Sequence, residues 1–319
     1  MKSNDSSIVY FGSDEFSLIT LERLKSVGVS ISLVITTLAR PAGRGLQLRK
    51  SVISEFCHKY KIDCIEVNDL HDEGCMSTLE QHRNEVFVVV SFGKILSQAI
   101  LTISKYGVIN LHPSLLPRWR GPAPIQSALC AGDTITGISI IQLTQEIDAG
   151  DILTQEEILI DEVINAQDLE KKLACKGAEL LKSTIGAIYE GRVTATPQEV
   201  SGITYAQKLT KDDGRINWNE SSTVIHNKIR GLYPWPSAFT RYKGKILKIF
   251  SSSPSGIKVE NACPGEIIAI NKEGSVSIST GNGTLDIFEV QLEGKKCMNA
   301  FSFSLGARLS IGECLGDIS

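Results

Sequence analysis

Gly107-Val-Ile-Asn110-Leu-His112-Pro113-Ser114-Leu115-Leu116-Pro117-Arg118-Trp119-Arg120-Gly-Pro122-Ala-Pro124 is the stretch from which the rest of the chain is read. It opens as a short, β-branched apolar run, the pattern of a buried strand over 107–111. Prolines at 113, 117, 122 and 124 then forbid both a continued strand and an early helix, so the backbone must loop. A polar asparagine and a histidine are thereby delivered to the carboxyl end of a strand, where open α/β sheets place their ligands. Taken alone, the Asn-x-His pair reads more simply as turn residues beside a satisfied histidine.

Around this block the first half alternates strand-like and helix-like segments. Strands are expected over 8–11, 31–36, 86–90, 137–142 and 152–160, and helices over 15–27, 51–60 and 123–131. A long closing helix spans 165–189, with Asn165 as its cap. This βαβ grammar predicts an α/β fold: a doubly wound, mostly parallel sheet covered on both faces. Periodicity fades after Gly191 into Thr, Pro, Ser and Gly. Beyond it come a short helix over 222–230 and short strands over 237–242, 246–251, 266–270, 275–279 and 284–290, which suggest a small OB-like β-barrel. The expected domains are a catalytic domain over 1–190, a linker over 191–209 and a barrel domain over 210–319.

A chain of 319 residues exceeds the roughly 100–200 residues of one ordinary domain. Apolar content of 42% and charged content of 22% are globular values. The polar N-terminus lacks the architecture of a signal peptide, and no apolar stretch approaches the roughly 20 residues of a membrane span. The eight cysteines are scattered without a CxxC pair, predicting reduced, buried thiols in a cytoplasmic protein, with neither a disulfide framework nor a metal site. Net charge is −3, but residues 1–190 carry 18 basic and 24 acidic side chains while 191–319 carry 15 and 12. Within the second half, 205–258 holds ten basic residues against three acidic ones, either a solvated face or a site for nucleic-acid phosphates.

A dinucleotide site would set GxGxxG directly after the first strand, and Phe11-Gly12-Ser13-Asp14-Glu15-Phe16 has one glycine, which argues against a nicotinamide or flavin. A second candidate segment is Glu146-Ile147-Asp148-Ala149-Gly150-Asp151, past the strand ending near Gln142. By itself Asp-Ala-Gly is ordinary turn chemistry.

The proline-rich block and the Asp-Ala-Gly segment together resemble the formyltransferases that use 10-formyltetrahydrofolate. Pro117-Arg-Trp-Arg-Gly121, Arg40-Pro41-Ala42-Gly43-Arg44-Gly45, Thr204-Tyr-Ala-Gln-Lys208 and Arg230-Gly-Leu-Tyr-Pro234-Trp235-Pro236 resemble the branch that formylates methionyl-tRNA. The resemblance covers both halves, densely to about residue 240 and thinly after Lys258. It implies that Asn110, His112 and Asp148 meet at one catalytic point, and that Ser114, Leu115, Leu116 and Pro117 contact the folate co-substrate. Residues 89–96 would supply an apolar wall for the pterin. It further implies initiator methionyl-tRNA as partner, with Arg40 and Arg44 on a loop near the acceptor end and Lys208 and Arg230 on the second half. Leu46-Gln47-Leu48 stands where that family often has lysines. The expected protein is a monomer that acts in translation initiation and needs no metal. Tyr-Pro-Trp-Pro reads structurally as a rigid corner with a buried indole.

The residue types suit that reaction. An amine attacking a formyl carbon produces an oxyanion and an ammonium, so donors must meet one charge and a base the other. Asn110 offers an NH2 and His112 a ring N–H, while Asp148 orients the imidazole and helps remove the ammonium proton. An α-amine of pKa about 8 needs no covalent intermediate at neutral pH. Two rival readings remain. One is a formyltransferase for a small amine such as an amino sugar nucleotide or glycinamide ribonucleotide; the other is a non-enzymatic tRNA or folate binder on the same fold.

Overall fold

β1 (Ser7–Gly12) turns sharply into α1 (Glu15–Ser26) because Asp14 caps the helix: its carboxylate accepts from the Ser17 amide at 3.0 Å, and the Ser17 hydroxyl accepts from the Asp14 amide at 2.9 Å. This reciprocal pair satisfies amides that a helix start leaves without partners. The computed structural model describes residues 7–38, 40–42, 47–49, 51–255, 259 and 261–316. After α1 come β2 (Ser30–Thr37), β3 (Arg40–Ala42), β4 (Gln47–Arg49), α2 (Val52–Tyr60), β5 (Cys64–Val67), α3 (Glu73–Gln81) and β6 (Val86–Val90). Then follow α4 (Gln98–Leu101), β7 (Val108–His112), α5 (Pro124–Ala131), β8 (Ile135–Gln142), β9 (Ile152–Leu159) and α6 (Ala166–Tyr189).

Seven strands form one sheet in the order β5-β2-β1-β6-β7-β8-β9. From β5 to β7 all pairings are parallel; β8 and β9 add an antiparallel edge. One face buries Val9, Phe11, Leu33, Ile35, Phe87 and Val89 against Leu79 and Ile100, with the Phe11 ring 5.8 Å from Phe87 and 5.5 Å from Phe92. Ile8 and Tyr10, on the other face, are equally buried, so the sheet is covered on both sides. Each such side chain contributes about 1.5–3 kcal/mol on burial. Asn110 pairs with Val89 across β6 and β7 and therefore shares its face.

The later strands form a separate antiparallel sheet. After α7 (Ser222–Gly231) come β10 (Ala238–Tyr242), β11 (Lys245–Ser255), β12 (Ile267–Ile270), β13 (Val276–Ser279), β14 (Thr284–Leu292), β15 (Met298–Asn299) and α8 (Ala300–Ala307). The order is β10-β11-β14-β13-β12, with β15 on β14. Residues near the C-terminus reach both edges: the Leu315 amide donates to Gly265 O at 2.8 Å and the Gly316 amide to Arg241 O at 2.9 Å. Edge strands are thereby covered, as in a small barrel. Trp218, Ile225, Leu247, Ile278, Leu285 and Phe303 fill the interior.

The chain divides into two compact units. One comprises Met1–Pro124, Ile135–Leu159 and Glu170–Ala206; the other Ile125–Thr134, Ile160–Leu169 and Gln207–Ser319. Residues 191–206, read from sequence as linker, thus pack with the first unit. Among the described residues no helix is long and apolar enough to cross a membrane, and no group of three or more His, Cys, Asp or Glu is placed to hold a metal. The cysteines differ from expectation: Cys57 and Cys75 are buried, but Cys175, Cys263, Cys297 and Cys314 are exposed, all as free thiols.

Candidate active site

Asn110 and His112 lie two residues apart at the carboxyl end of β7, so their side chains leave the same face of the sheet. They are 8% and 4% exposed. The His112 ring is held from both sides. Its Nε2 is 2.9 Å from the Trp119 carbonyl oxygen, and because a carbonyl only accepts, Nε2 carries the hydrogen. Nδ1 faces Asp148 Oδ2 at 3.6 Å, close enough for a charge pair and longer than a normal hydrogen bond. The ring N–H expected for an oxyanion is constrained accordingly: Nε2 is engaged by protein, and Nδ1 is the nitrogen beside the carboxylate. Among the described residues the Asn110 carboxamide has no protein partner, which leaves its NH2 available at a nearly buried position.

Asp148 lies between β8 and β9 with φ +50°, in the left-handed region that Asp tolerates better than most residues. The Gly121 amide donates to its Oδ2 at 2.8 Å. Two residues on, a Cβ at Gly150 would come within 1.7 Å of Gln142 O, so only glycine lets this connection close against β8. Asp-Ala-Gly is thus both turn chemistry and the device that presents a carboxylate to His112.

The loop after β7 is braced from below. Ser139 on β8 donates to Ser114 O at 2.7 Å and accepts from the Leu116 amide at 3.0 Å, while Gln155 on β9 donates to Leu116 O at 2.9 Å. Ser114 is fully buried and its hydroxyl donates to Arg118 O at 2.6 Å. Of the four residues expected to meet folate, Ser114 and Leu116 therefore point into the protein, and only Leu115 and Pro117 are partly exposed. The Ser114 hydroxyl is a loop brace because its short side chain reaches a carbonyl four residues on.

Residues 196–206 form a strap that sequence reasoning did not detect. Thr196 exchanges two main-chain hydrogen bonds with Ile152, of 2.8 and 2.9 Å. At the other end the Thr204 hydroxyl accepts from the Trp119 amide at 2.9 Å, the Arg120 amide donates to Thr204 O at 2.9 Å, and the Ala206 amide donates to Arg120 O at 2.7 Å. Between them Gln198 hydrogen bonds Arg120, Asp148 and Gly150. No period of apolar residues announces such a segment, since main-chain bonds hold it.

Beside β1, Asp14 accepts from the Ser91 hydroxyl, and partial enclosure raises its carboxyl above the usual range. Glu170 is pushed up to about 7, first by burial and then by the negative charges of Asp14 and Glu15.

Residues 7–185 match the model of the formyl transferase family, and 208–308 that of the formyl transferase C-terminal domain. A methionyl-tRNA formyltransferase from Thermodesulfovibrio yellowstonii is 40% identical over 307 residues, which cover 96% of this chain and 98% of that protein. The chain belongs to the formyl transferase family. Another methionyl-tRNA formyltransferase, from Alkaliphilus oremlandii, is 37% identical over 97% of this chain and 99% of its own. Among solved structures, a sugar 3N-formyl transferase crystallised with dTDP and 5-N-formyl-THF superimposes with TM-score 0.65 at 18% identity, covering 92% of this chain and all of that one. An N-formyltransferase from Helicobacter canadensis, in complex with folinic acid and dTDP-3-aminofucose, gives TM-score 0.64 at 18% identity over 88% and 98% of the two chains. These likenesses establish the formyl transferase fold.

Of the four basic residues singled out in sequence, the structure places two side chains. Lys208 is exposed. Arg230 is 8% exposed: its guanidinium donates to Asn227 Oδ1 at 2.9 Å and to Asp161 O at 3.1 Å, and burial lowers its pKa from the usual arginine value. It therefore ties down main chain of its own unit and does not project toward a nucleic acid. Arg40 belongs to β3, whose main chain alone is described, and Arg44 lies outside the described residues. Trp235 also departs from expectation, since its side chain is 53% exposed and not a buried corner.

Proposed function

We propose that this formyl transferase moves a formyl group from 10-formyltetrahydrofolate to the α-amine of methionine esterified to initiator tRNA, as a cytoplasmic monomer serving translation initiation. The observation that carries the reading is the His112 ring beside the Asp148 carboxylate, with an unpartnered Asn110 carboxamide two residues earlier on the same face of β7. Its substrate assignment is supported by near-full-length relatives named methionyl-tRNA formyltransferase. Two structural neighbours carry formylated folates, which supports the same donor class here.

The folate supplies the formyl carbon and, through N10, the leaving nitrogen. Asn110 donates to the formyl oxygen as negative charge gathers on it, the type of contact whose removal costs about 100- to 1,000-fold. Asp148, with His112 beside it, accepts the proton that the attacking amine must lose, directly or through water, and a proton is returned to the departing nitrogen. The carbon–nitrogen bond to the amine forms as the bond to N10 breaks, without a covalent enzyme intermediate. Leu115 and Pro117, with residues 89–96, line the folate side, and Arg40, Arg44 and Lys208 are the residues assigned to tRNA phosphates and exposed base edges. Arg230 is omitted from that set because it is buried.

The test compares wild type with Asp148→Asn and His112→Ala in formyl transfer to charged initiator tRNA. Loss of turnover with folate and tRNA binding retained supports the reading, and normal rates in both variants refute it.

A further inference from the structure

Gln198 has every hydrogen-bonding position of its amide occupied. Its Oε1 accepts from Arg120 Nε at 3.0 Å and Nη2 at 2.8 Å; its Nε2 donates to Asp148 O at 2.7 Å and Gly150 O at 2.8 Å. The partners fix which end is which, because a guanidinium only donates and a carbonyl only accepts. Arg120 is 5% exposed, with its Nη1 3.9 Å from Glu146 Oε1. A charge this buried is costly to place unless its donors are satisfied. The main chain on either side of that guanidinium is fixed as well, by Thr204 and Ala206, and the next amide, of Gly121, donates to the Asp148 carboxylate.

Asp148 is thus gripped at two points. Gly121, which follows Arg120 in the chain, fixes its carboxylate, and Gln198, which accepts from the Arg120 guanidinium, fixes its carbonyl. The grip acts on a residue with φ of +50°, a region that non-glycine residues populate sparsely.

We propose that Arg120 and Gln198 are positioning residues for the transfer reaction: they hold the Asp148 main chain in the left-handed region and so aim its carboxylate at His112. The inference rests on the formyl transfer proposed above. Glutamate cannot replace Gln198 in this role, since it would set an oxygen against two carbonyl oxygens while keeping the contact with Arg120.

The test measures kcat and KM for both substrates, with thermal unfolding, on full-length wild type, Gln198→Glu, Arg120→Lys and Asp148→Asn, and on Gln198→Glu in the Asp148→Asn background. Misplacing a reacting group by about 1 Å costs on the order of 100-fold. Gln198→Glu and Arg120→Lys are expected to lower kcat about 10- to 100-fold, with KM for either substrate within about two-fold. In the Asp148→Asn background Gln198→Glu is expected to cost no more than about two-fold further, because residues acting through one group are not additive. A purely structural role would lower the unfolding temperature and cut activity equally in both backgrounds, and that result overturns the inference. So does an unchanged kcat in Gln198→Glu when wild type is active. Absence of transfer by wild type removes the reaction itself and the inference with it.

Discussion

The loop after β7 and the strap over 196–206 meet at Asp148, but different forces hold them. Side chains brace the loop: the buried Ser139 of β8 and the exposed Gln155 of β9 reach its main chain, and the buried Ser114 closes it internally. Main-chain hydrogen bonds to Ile152 and Arg120 fasten both ends of the strap, and Gln198 is the side chain that reaches Asp148. The loop's shape therefore depends on residue type at Ser114, Ser139 and Gln155, while the strap is fastened mainly through its main chain.

The largest expected effect lies where the two segments converge. His112→Ala and Asp148→Asn should each lower kcat about 100- to 10,000-fold, far beyond their effect on stability, measured by single-turnover transfer and calorimetry. A stability loss matching the activity loss would mean that the pair holds the fold and not the reaction.

A smaller effect separates loop from strap directly. Ser139→Ala leaves a buried amide and a carbonyl without a partner and should cost about 1–3 kcal/mol in denaturant unfolding. Thr196→Ala, an exposed side chain in a segment anchored through main chain, should stay within about 0.5 kcal/mol. Equal losses would erase the distinction.

The contrast between holding and reaching recurs among the arginines. Arg230→Ala should destabilise by about 1–3 kcal/mol, because it strips the buried Asn227 amide oxygen and the Asp161 and Ile164 carbonyls of their donor. Arg44→Ala should leave stability unchanged and raise KM for charged tRNA while sparing folate binding; an equal loss with a tRNA-free amine acceptor would contradict this.

A separate effect concerns charge and not geometry. Glu170 is raised from 4.5 to about 7 in the folded protein, so between those values the folded chain keeps a proton that the unfolded chain has released. Stability from this group is present below about pH 4.5 and is lost as pH rises through about 7. Glu170→Gln should therefore unfold at a higher temperature than wild type near pH 8 and at the same temperature near pH 4. A pH-independent difference would argue for a packing effect.

Much of this arrangement is legible in the amino acids, for definite reasons. β6 spans 86–90 as read, since an unbroken run of β-branched and aromatic residues has no other use in a doubly wound sheet. Asn110 and His112 are legible because prolines stop the strand immediately after them. β5 and α3 are not, being four and nine residues long with few apolar positions. Gln198 is invisible because its partners lie 48 to 78 residues away in sequence. Arg230 is misread for a related reason: a net basic stretch reports average charge, and nothing local to it shows that the carbonyls of Asp161 and Ile164 will enclose one guanidinium. Trp235 shows the converse error: its flanking prolines read as a rigid corner around a buried indole, and the fold leaves that residue half in solvent.

The most direct measurement is formyl transfer from 10-formyltetrahydrofolate by the full-length chain, offered initiator methionyl-tRNA, elongator methionyl-tRNA and a nucleotide-linked amino sugar in parallel. Transfer confined to the initiator tRNA is the predicted result. Transfer to the amino sugar alone, or to no acceptor, would contradict it.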